Sequence, residues 1–389
     1  MDILFLSHCV PFPPDKGERI RAFHELNFLA RSHRVHLACI ARSRADVEYA
    51  RSLTDRCASV NVQLIRSPFG LFRAGLKFIA GSSLTTGFYV HSSLRRSISR
   101  LNSKTRFDLV LAYSSAVAPY APLRLPMILD LVDVDSEKWL QYAGVRHPSL
   151  AYRLEGQRLR RVEQSFVAKD SCSFLTTASE IEVLRRFSPH GRVRQMGNGV
   201  DFEYFDPAGT LDNPDLSNRR FLAFIGSMSY YPNVEAADWF ARNIFRALRL
   251  RFPDLELFIV GRDPAPPVRA LAQMAGVHVT GTVSDVRPYI KACAAVIAPM
   301  RIARGIQNKV LEALAMGKPV LASSSVCKTL SPLPSAVKPC ETEEDYIRET
   351  QAVFGLHDKE PNQIRQSALA QFTWEANLRV LSEELCRLS

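Results

Sequence analysis

Short apolar runs alternate with amphipathic stretches along this chain, and the alternation happens twice. In the first half, Asp2–Ser7, Val35–Ile40, Val60–Ile65, Leu109–Ala112, Met127–Leu131 and Phe174–Thr176 read as buried strands. Glu18–Arg31, with Ile20, Phe23, Leu26 and Leu29–Ala30 at helical spacing, reads as a helix, as do Ala45–Thr54 and the Arg- and Glu-rich Leu150–Ala168. Strands that alternate with helices form right-handed βαβ units, and these build a parallel sheet covered on both faces. The rhythm breaks near residue 200, where NGVDFEYFDPAGTLDNPDLSN is crowded with Asn, Asp, Gly and Pro. A second series follows. Its strands are expected at Phe221–Ile225, Leu255–Val260, Val277–Thr280, Ala294–Pro299 and Pro319–Ala322, and its helices at Val234–Leu250, Ala265–Met274, Val286–Ala292 and Asn308–Met316.

The expected fold class is therefore α/β, with two doubly wound Rossmann-like domains facing across a cleft: residues 1–200, a linker at 201–220, and residues 221–372. Thr373 is placed to cap a last helix, 373–389, in which Trp374, Leu378, Leu381 and Leu385 share a face. That helix packs on its own domain or back across the cleft. Ligands of such sheets bind beyond the carboxyl ends of the strands, so the chemistry is expected in the cleft.

Composition excludes several other classes. With 389 residues, 47% apolar and 23% charged, the chain has enough material for a core in each half and is not a disordered protein. It has no apolar run of membrane-spanning length. The opening MDILFLSHCVPFPPDKGERIR reads as a strand and loop, not a signal peptide. Eight scattered cysteines without a C-x-x-C pair fit reduced thiols in a cytoplasm better than a disulfide framework or a zinc site. The net charge is +11, and residues 1–200 carry 29 Lys/Arg against 17 Asp/Glu, whereas the remainder carries 21 against 22. The excess thus lies in the first half, where residues 56–107 hold nine basic residues and no acidic one. Nucleic acid, an anionic membrane surface or a phosphorylated substrate would suit that field, and so would a plain solvated face. Within it, SPFGLFRAGLKFIAG interleaves Phe69, Leu71, Phe72, Leu76, Phe78 and Ile79 with Arg73 and Lys77, a pattern that fits a bilayer interface or core packing. The chain shows no helix-turn-helix, RRM or OB signature, so nucleic acid is not expected as a partner.

The most informative stretch is APMRIARGIQNKVLEALAMGKPVLAS, from Ala298 to Ser323. It reads as strand, loop, helix, a stop at Gly317, Pro319 and strand. Gly305 lets backbone approach a ligand closely, and the helix after it offers unsatisfied N–H groups and a positive dipole end. Lys309 falls in the first turn, where a cation opposes the dipole by roughly a few tenths of a kcal/mol, a cost that a nearby anion offsets. Glu312 shares its face, while Val310, Leu311 and Leu314 point to the core. Arg301 and Arg304 stand in the loop in front. A cationic rim around an amide-lined pocket suits a diphosphate, and a carboxylate one turn deeper suits ribose hydroxyls. An ordinary βα unit with a surface Lys–Glu pair has the same spacing. Farther back, Asp130, Asp133 and Asp135 follow the strand Met127–Leu131. Asp133 is placed to orient acceptor or donor hydroxyls, though three carboxylates in six residues also fit a metal or a solvated loop. His8 ends the first strand, either facing the cleft or serving the structure.

The pattern K-x-x-E-A-x-A-x-G-K-P-V, from Lys309 to Val320, resembles the nucleotide-sugar site of the retaining glycosyltransferases of family 4, which have the two-domain GT-B fold. There two glutamates eight positions apart frame the loop. Glu312 matches the second, which implies that it holds the donor ribose; the first falls at Arg304. By the same resemblance Gly226, Ser227 and Tyr230 stand at a loop that touches phosphate through Gly and Arg, and the absent Arg leaves that charge to Arg301, Arg304 and Lys309. Asn198–Asp201, with Phe205 and Pro207, is similar to the segment before the family's linker. Pro11–Gly17 resembles its P-x-x-G-G loop, which implies acceptor contacts at Lys16, Gly17, Arg19 and Arg21. The helix from Trp374 resembles the one that crosses back to the first domain. LDLVDVDSEKWLQYA, GSMSYYPNVEAADWF, TGTVSDVRPYI and RIARGIQNKVLEALAMGKPV resemble the glycosyltransferase group associated with the bacterial exosortase (PEP-CTERM) system, which implies exopolysaccharide assembly.

Together these imply a retaining glycosyltransferase that uses a nucleotide-diphosphate-sugar donor and a glycan or lipid-linked acceptor. Its catalytic groups are expected at Asp133, Arg304 and Lys309. Donor contacts are expected at Gly226, Ser227, Arg301, Gly305, Asn308, Lys309 and Glu312. The resemblance implies no metal or other cofactor. The protein is expected in the cytoplasm, peripheral on the inner membrane through residues 56–107. A nucleotide-sugar 2-epimerase and a non-catalytic sugar-nucleotide-binding module are the alternatives.

Overall fold

The computed structural model describes residues 1–388 other than 123, 146, 169–171, 211 and 356–359. The chain divides into two compact units, Met1–Gly197 with Asn377–Ser389, and Asn198–Ala376.

The first unit holds seven strands: β1 (Asp2–Ser7), β2 (Arg34–Ala41), β3 (Ser59–Leu64), β4 (Leu109–Tyr113), β5 (Met127–Val132), β6 (Cys172–Leu175) and β7 (Val193–Gln195). They lie in the order β3-β2-β1-β4-β5-β6-β7, and every pairing is parallel. The chain winds outward from β1, then restarts at β4 and winds the other way. Loops leaving β1 and β4 therefore diverge, and a crevice opens beyond Ser7 and Tyr113, which stand in register. The strands are near-continuous apolar runs, because helices cover both faces of the sheet. Ile3, Leu4, Phe5, Val110, Leu111 and Ile128 have no exposed surface.

The second unit repeats the plan with β8 (Arg220–Ile225), β9 (Leu255–Val260), β10 (Val277–Gly281), β11 (Ala295–Ala298), β12 (Val320–Ala322) and β13 (Val337–Pro339). The order is β10-β9-β8-β11-β12-β13, again wholly parallel, so the switch point lies between β8 and β11. The expected pair of doubly wound sheets is present. β7 and β13, three residues each, are too short to show a period in the sequence.

Three local expectations need correction. Residues 201–220 are not a linker: Val200, Phe202 and Leu216 join the core of the second unit. Arg365 also donates to Phe202 O at 2.8 Å and Phe205 O at 2.6 Å. The helix expected at Val234–Leu250 runs through a π-helical turn at Phe240–Phe245. In the first helix, Gly17–Ala30, the buried residues include Arg19, Arg21, Ala22, Glu25, Leu26 and Leu29, so three charged residues occupy the face where Ile20 and Phe23 were expected.

The final helix, Trp374–Leu388, is capped as expected, with Ala376 N donating to Thr373 Oγ1 at 3.2 Å. Its residues Asn377–Ser389 belong to the first unit. There the buried Glu384 accepts from Arg192 Nη2 at 2.6 Å, Arg194 Nη1 at 2.8 Å and Arg387 Nε at 2.9 Å.

Candidate functional site

In the second unit the switch point is built by two loops, Gly226–Tyr230 after β8 and 299–307 after β11, the latter leading into the helix Asn308–Ala315. That helix forms because Val310, Leu311 and Leu314 recur on one face, and all three are buried as expected. Gln307 at its N-cap makes no side-chain bond to the first amides, which caps such as Ser or Asp usually cover. Gly305 reaches φ +63°, where a Cβ is costly, and so turns the loop into the helix.

Lys309 is the centre of this site and is not the surface cation that its sequence position also allowed. It is only 8% exposed. Its Nζ donates to Asn233 Oδ1 at 2.8 Å, lies 4.2 Å from the centroid of the Phe224 ring and 3.8 Å from Met300 Sδ. Burial pushes the ammonium down to about 7, against the attraction of Glu312. Glu312, one turn on, is pushed up to about 7 by burial, against the attraction of Lys309. Lys309 and Glu312 thus attract one another within a buried site. Gly226 makes this approach possible: a Cβ there would lie 2.7 Å from Asn233 Nδ2 and 3.3 Å from Lys309 Nζ. Asn233 also donates to Ser227 O at 2.9 Å, and thus ties the β8 loop to the lysine.

The other expected donor residues divide. Asn308 accepts from Asn198 Nδ2 at 3.1 Å, so the NGVD segment supports the start of the helix. Gly199 in that segment leaves no room for a Cβ against the backbone of Trp374. Arg301 is exposed, and its Nε donates to Glu235 Oε1 at 2.6 Å, so its charge is already met by a carboxylate. Of the other residues of the expected cationic rim, Arg304 is half-buried and Lys309 is buried. Sequence reasoning missed Asn233 and Glu235. Both lie in the helix that follows the β8 loop, and a polar residue in its first turns was the available signal.

In the first unit the expected acceptor residues behave differently from one another. Lys16 and Gly17 are exposed at the start of the first helix. Arg19 is turned inward to Asp46 at 2.6 Å, with Asp15 at 3.4 Å. Arg21 is a correction: it is 1% exposed and cannot meet an acceptor. Its Nε and Nη2 bind Asp130 at 2.6 and 3.1 Å, and Nη1 donates to Met196 O and Gly197 O at 3.0 and 3.2 Å. Glu25 approaches Arg21 Nε at 3.0 Å. Burial and the Asp130 charge push the Glu25 carboxyl well above the usual range. Arg21 lies one turn into the helix on its inner face, which directs it at the sheet.

Asp133 follows β5 at the carboxyl edge of the sheet, partly exposed, and accepts from Thr176 Oγ1 at 2.8 Å. With Asp130 buried on Arg21, the three aspartates do not gather into a metal-ligating group among the described residues. At the switch point itself stands His8, stacked on Tyr113 at 5.2 Å and 3.4 Å from Glu18 Oε2. Burial raises the Glu18 carboxyl, but the hydrogen bond and charge of His8, with Arg42 and Lys16, outweigh it and hold the group down at about 2.

Two parallel sheets of this winding, each with its crevice at a switch point, define the GT-B fold, the class found among glycosyltransferases. Residues 219–332 match the family model described as Glycosyl transferases group 1. The chain is similar over 100% of its length to sucrose-phosphate synthase from Thermosynechococcus elongatus, with 99% of that chain covered, 15% identity and a TM-score of 0.73. Anabaena HepE, solved in complex with UDP and glucose, matches at 14% identity, 100% of both chains and a TM-score of 0.68. WaaG, a glycosyltransferase involved in lipopolysaccharide biosynthesis, matches at 13% identity and a TM-score of 0.65 over 97% of this chain and 98% of its own. No curated protein matches the sequence. The family match and the fold agree on the expected enzyme class, a glycosyltransferase.

Proposed function

We propose that the protein is a retaining glycosyltransferase of family 4 that moves a sugar from a nucleotide-diphosphate donor to a glycan or lipid-linked acceptor. The observation that carries this reading is the placement of Lys309. Its ammonium lies at the switch point of the second sheet, beside the loop after β8, in the first turn of a helix whose N-terminal amides carry no side-chain cap. When the bond from the anomeric carbon to the diphosphate breaks, its electron pair passes to the pyrophosphoryl oxygens. A desolvated ammonium and fixed amides stabilise that growing charge most in the transition state. Glu312 takes the ribose hydroxyls, and Arg304 stands on the loop where the donor sugar would lie. Since HepE was solved with UDP, a uridine diphosphate sugar is the first donor to test. The chemistry of this site requires no metal. The long resemblance to exosortase-associated transferases supports bacterial exopolysaccharide assembly at the cytoplasmic side of the inner membrane. Incubation with labelled donor tests the reading: transfer to an added acceptor supports it, whereas conversion of the donor sugar without acceptor would make the protein an epimerase.

A further inference from the structure

The helix Ser67–Ile79 packs with its small residues and exposes its large ones. Gly70 and Ala74 are buried, and a Cβ at Gly70 would lie 2.7 Å from the Phe88 ring. The outer side carries Phe69, Phe72, Leu76 and Ile79, which recur at one-face spacing and are 73%, 69%, 54% and 84% exposed. Leu71, at 64%, widens the stripe. The remaining exposed large apolar side chains of the described residues are scattered singly, which is normal for a surface, whereas five on one helix are not.

The surroundings are cationic. Arg66 precedes the helix, Arg73 and Lys77 lie on it, and Arg95 and Arg96 are exposed on the helix Ser92–Lys104. Lys77 is lowered by burial and by the repulsion of Arg73 and Arg95, so these charges crowd one another. No acidic residue occurs between positions 56 and 107 to relieve them. A second copy of this chain would bring the same charges face to face, whereas an anionic lipid surface neutralises them and receives the apolar stripe at once. Among the described residues no helix is long and apolar enough to cross a membrane.

We infer that Ser67–Ile79 is an interfacial anchor that lays Phe69, Leu71, Phe72, Leu76 and Ile79 among the acyl chains of an anionic bilayer, with Arg66, Lys77 and Arg96 at headgroup level. This rests on the proposed function only in giving the anchor its purpose, delivery of the site to a lipid-linked acceptor. Binding itself needs no turnover.

The test is flotation of the full chain, without donor, on vesicles containing phosphatidylglycerol and on vesicles of phosphatidylcholine alone. The protein should float with the anionic vesicles and much less with the neutral ones. The variant F69S/F72S/I79S should lose at least about tenfold in partitioning, because three buried side chains are removed from the lipid. K77E/R96E should lose at least about tenfold through charge reversal. All these side chains are partly or fully solvent-exposed, so thermal unfolding and donor binding should not change. Absence of flotation, an undiminished triple variant, or equal binding to neutral vesicles would overturn the anchor. So would a dimer in light scattering that the triple variant dissolves, since the stripe would then belong to a second copy. If flotation holds and no donor binds, the anchor stands and the transferase reading fails.

Discussion

Lys309 Nζ donates to Asn233 Oδ1 at 2.8 Å, across the switch point between β8 and β11. Two residues 76 positions apart thus meet where a parallel sheet of this winding leaves its crevice, and one of them is an ammonium that burial has brought near neutrality.

Replacing Lys309 by Met keeps its length and removes its charge. Turnover should fall by about 10²–10³, the usual effect of deleting one fixed donor to a developing anion. Asn233 is a positioning residue. N233A should cost about tenfold in kcat and move the pH–rate profile to lower pH, because the ammonium loses its acceptor and is harder to keep charged. Initial-rate kinetics across pH separate this from simple loss of folding, which would leave the profile in place.

The pH dependence of donor affinity has a definite sign. Lys309 is pushed down to about 7 in the free protein, and a bound diphosphate favours its charged form. Affinity should therefore be strongest below pH 7 and weaken above it, by at most about tenfold per unit. In K309M/E312Q, which lacks both groups near 7, the dependence above pH 7 should disappear. Equilibrium titration from pH 6 to about 9 with a nucleotide sugar, whose diphosphate is ionised throughout, checks it.

Arg21 should matter for folding and not for acceptor affinity. R21M strands the buried Asp130 carboxylate, at a cost of about 3–5 kcal/mol. Denaturant unfolding should show that loss. R21K should recover only part of it, since a lysine cannot reproduce the paired contacts to Asp130 and reach the Met196 and Gly197 carbonyls as well.

Acid should loosen the C-terminal helix. Burial raises the Glu384 carboxyl, but bonds from Arg192, Arg194 and Arg387 outweigh it and lower the group to about 2. A depressed carboxylate contributes stability that is present above its ordinary value and is lost as pH falls towards 2. Thermal unfolding of the wild type should therefore drop between pH 4.5 and 2 more steeply than that of E384Q, which should be the less stable of the two at pH 7.

The sheets were legible because buried parallel strands are continuous apolar runs, as in Phe221–Ile225 and Leu255–Val260. The helix that carries Lys309 and Glu312 was legible for a related reason, since Gly305 and Gly317 bracket an apolar periodicity. What the sequence concealed were polar groups that fold inward. Arg21 reads as an acceptor contact until Asp130 is brought from 109 positions away to meet it. Residues 201–220 have the composition of a linker, yet Phe202 and Leu216 hold them to a core. Arg301 read as a free cation because its partner Glu235 comes from another βα unit. The anchor stripe was visible as an acid-free amphipathic segment, but only the packing of Gly70 and Ala74 decides which side faces out.

The most direct measurement is calorimetric titration of a uridine diphosphate sugar at pH 8 in buffers of different ionisation enthalpy. With Lys309 at about 7 in the free protein, binding to the wild type should take up nearly one proton, and K309M should bind weakly with less uptake. Equal affinity in the two proteins, with no proton taken up by either, would contradict a role for this ammonium in holding the diphosphate.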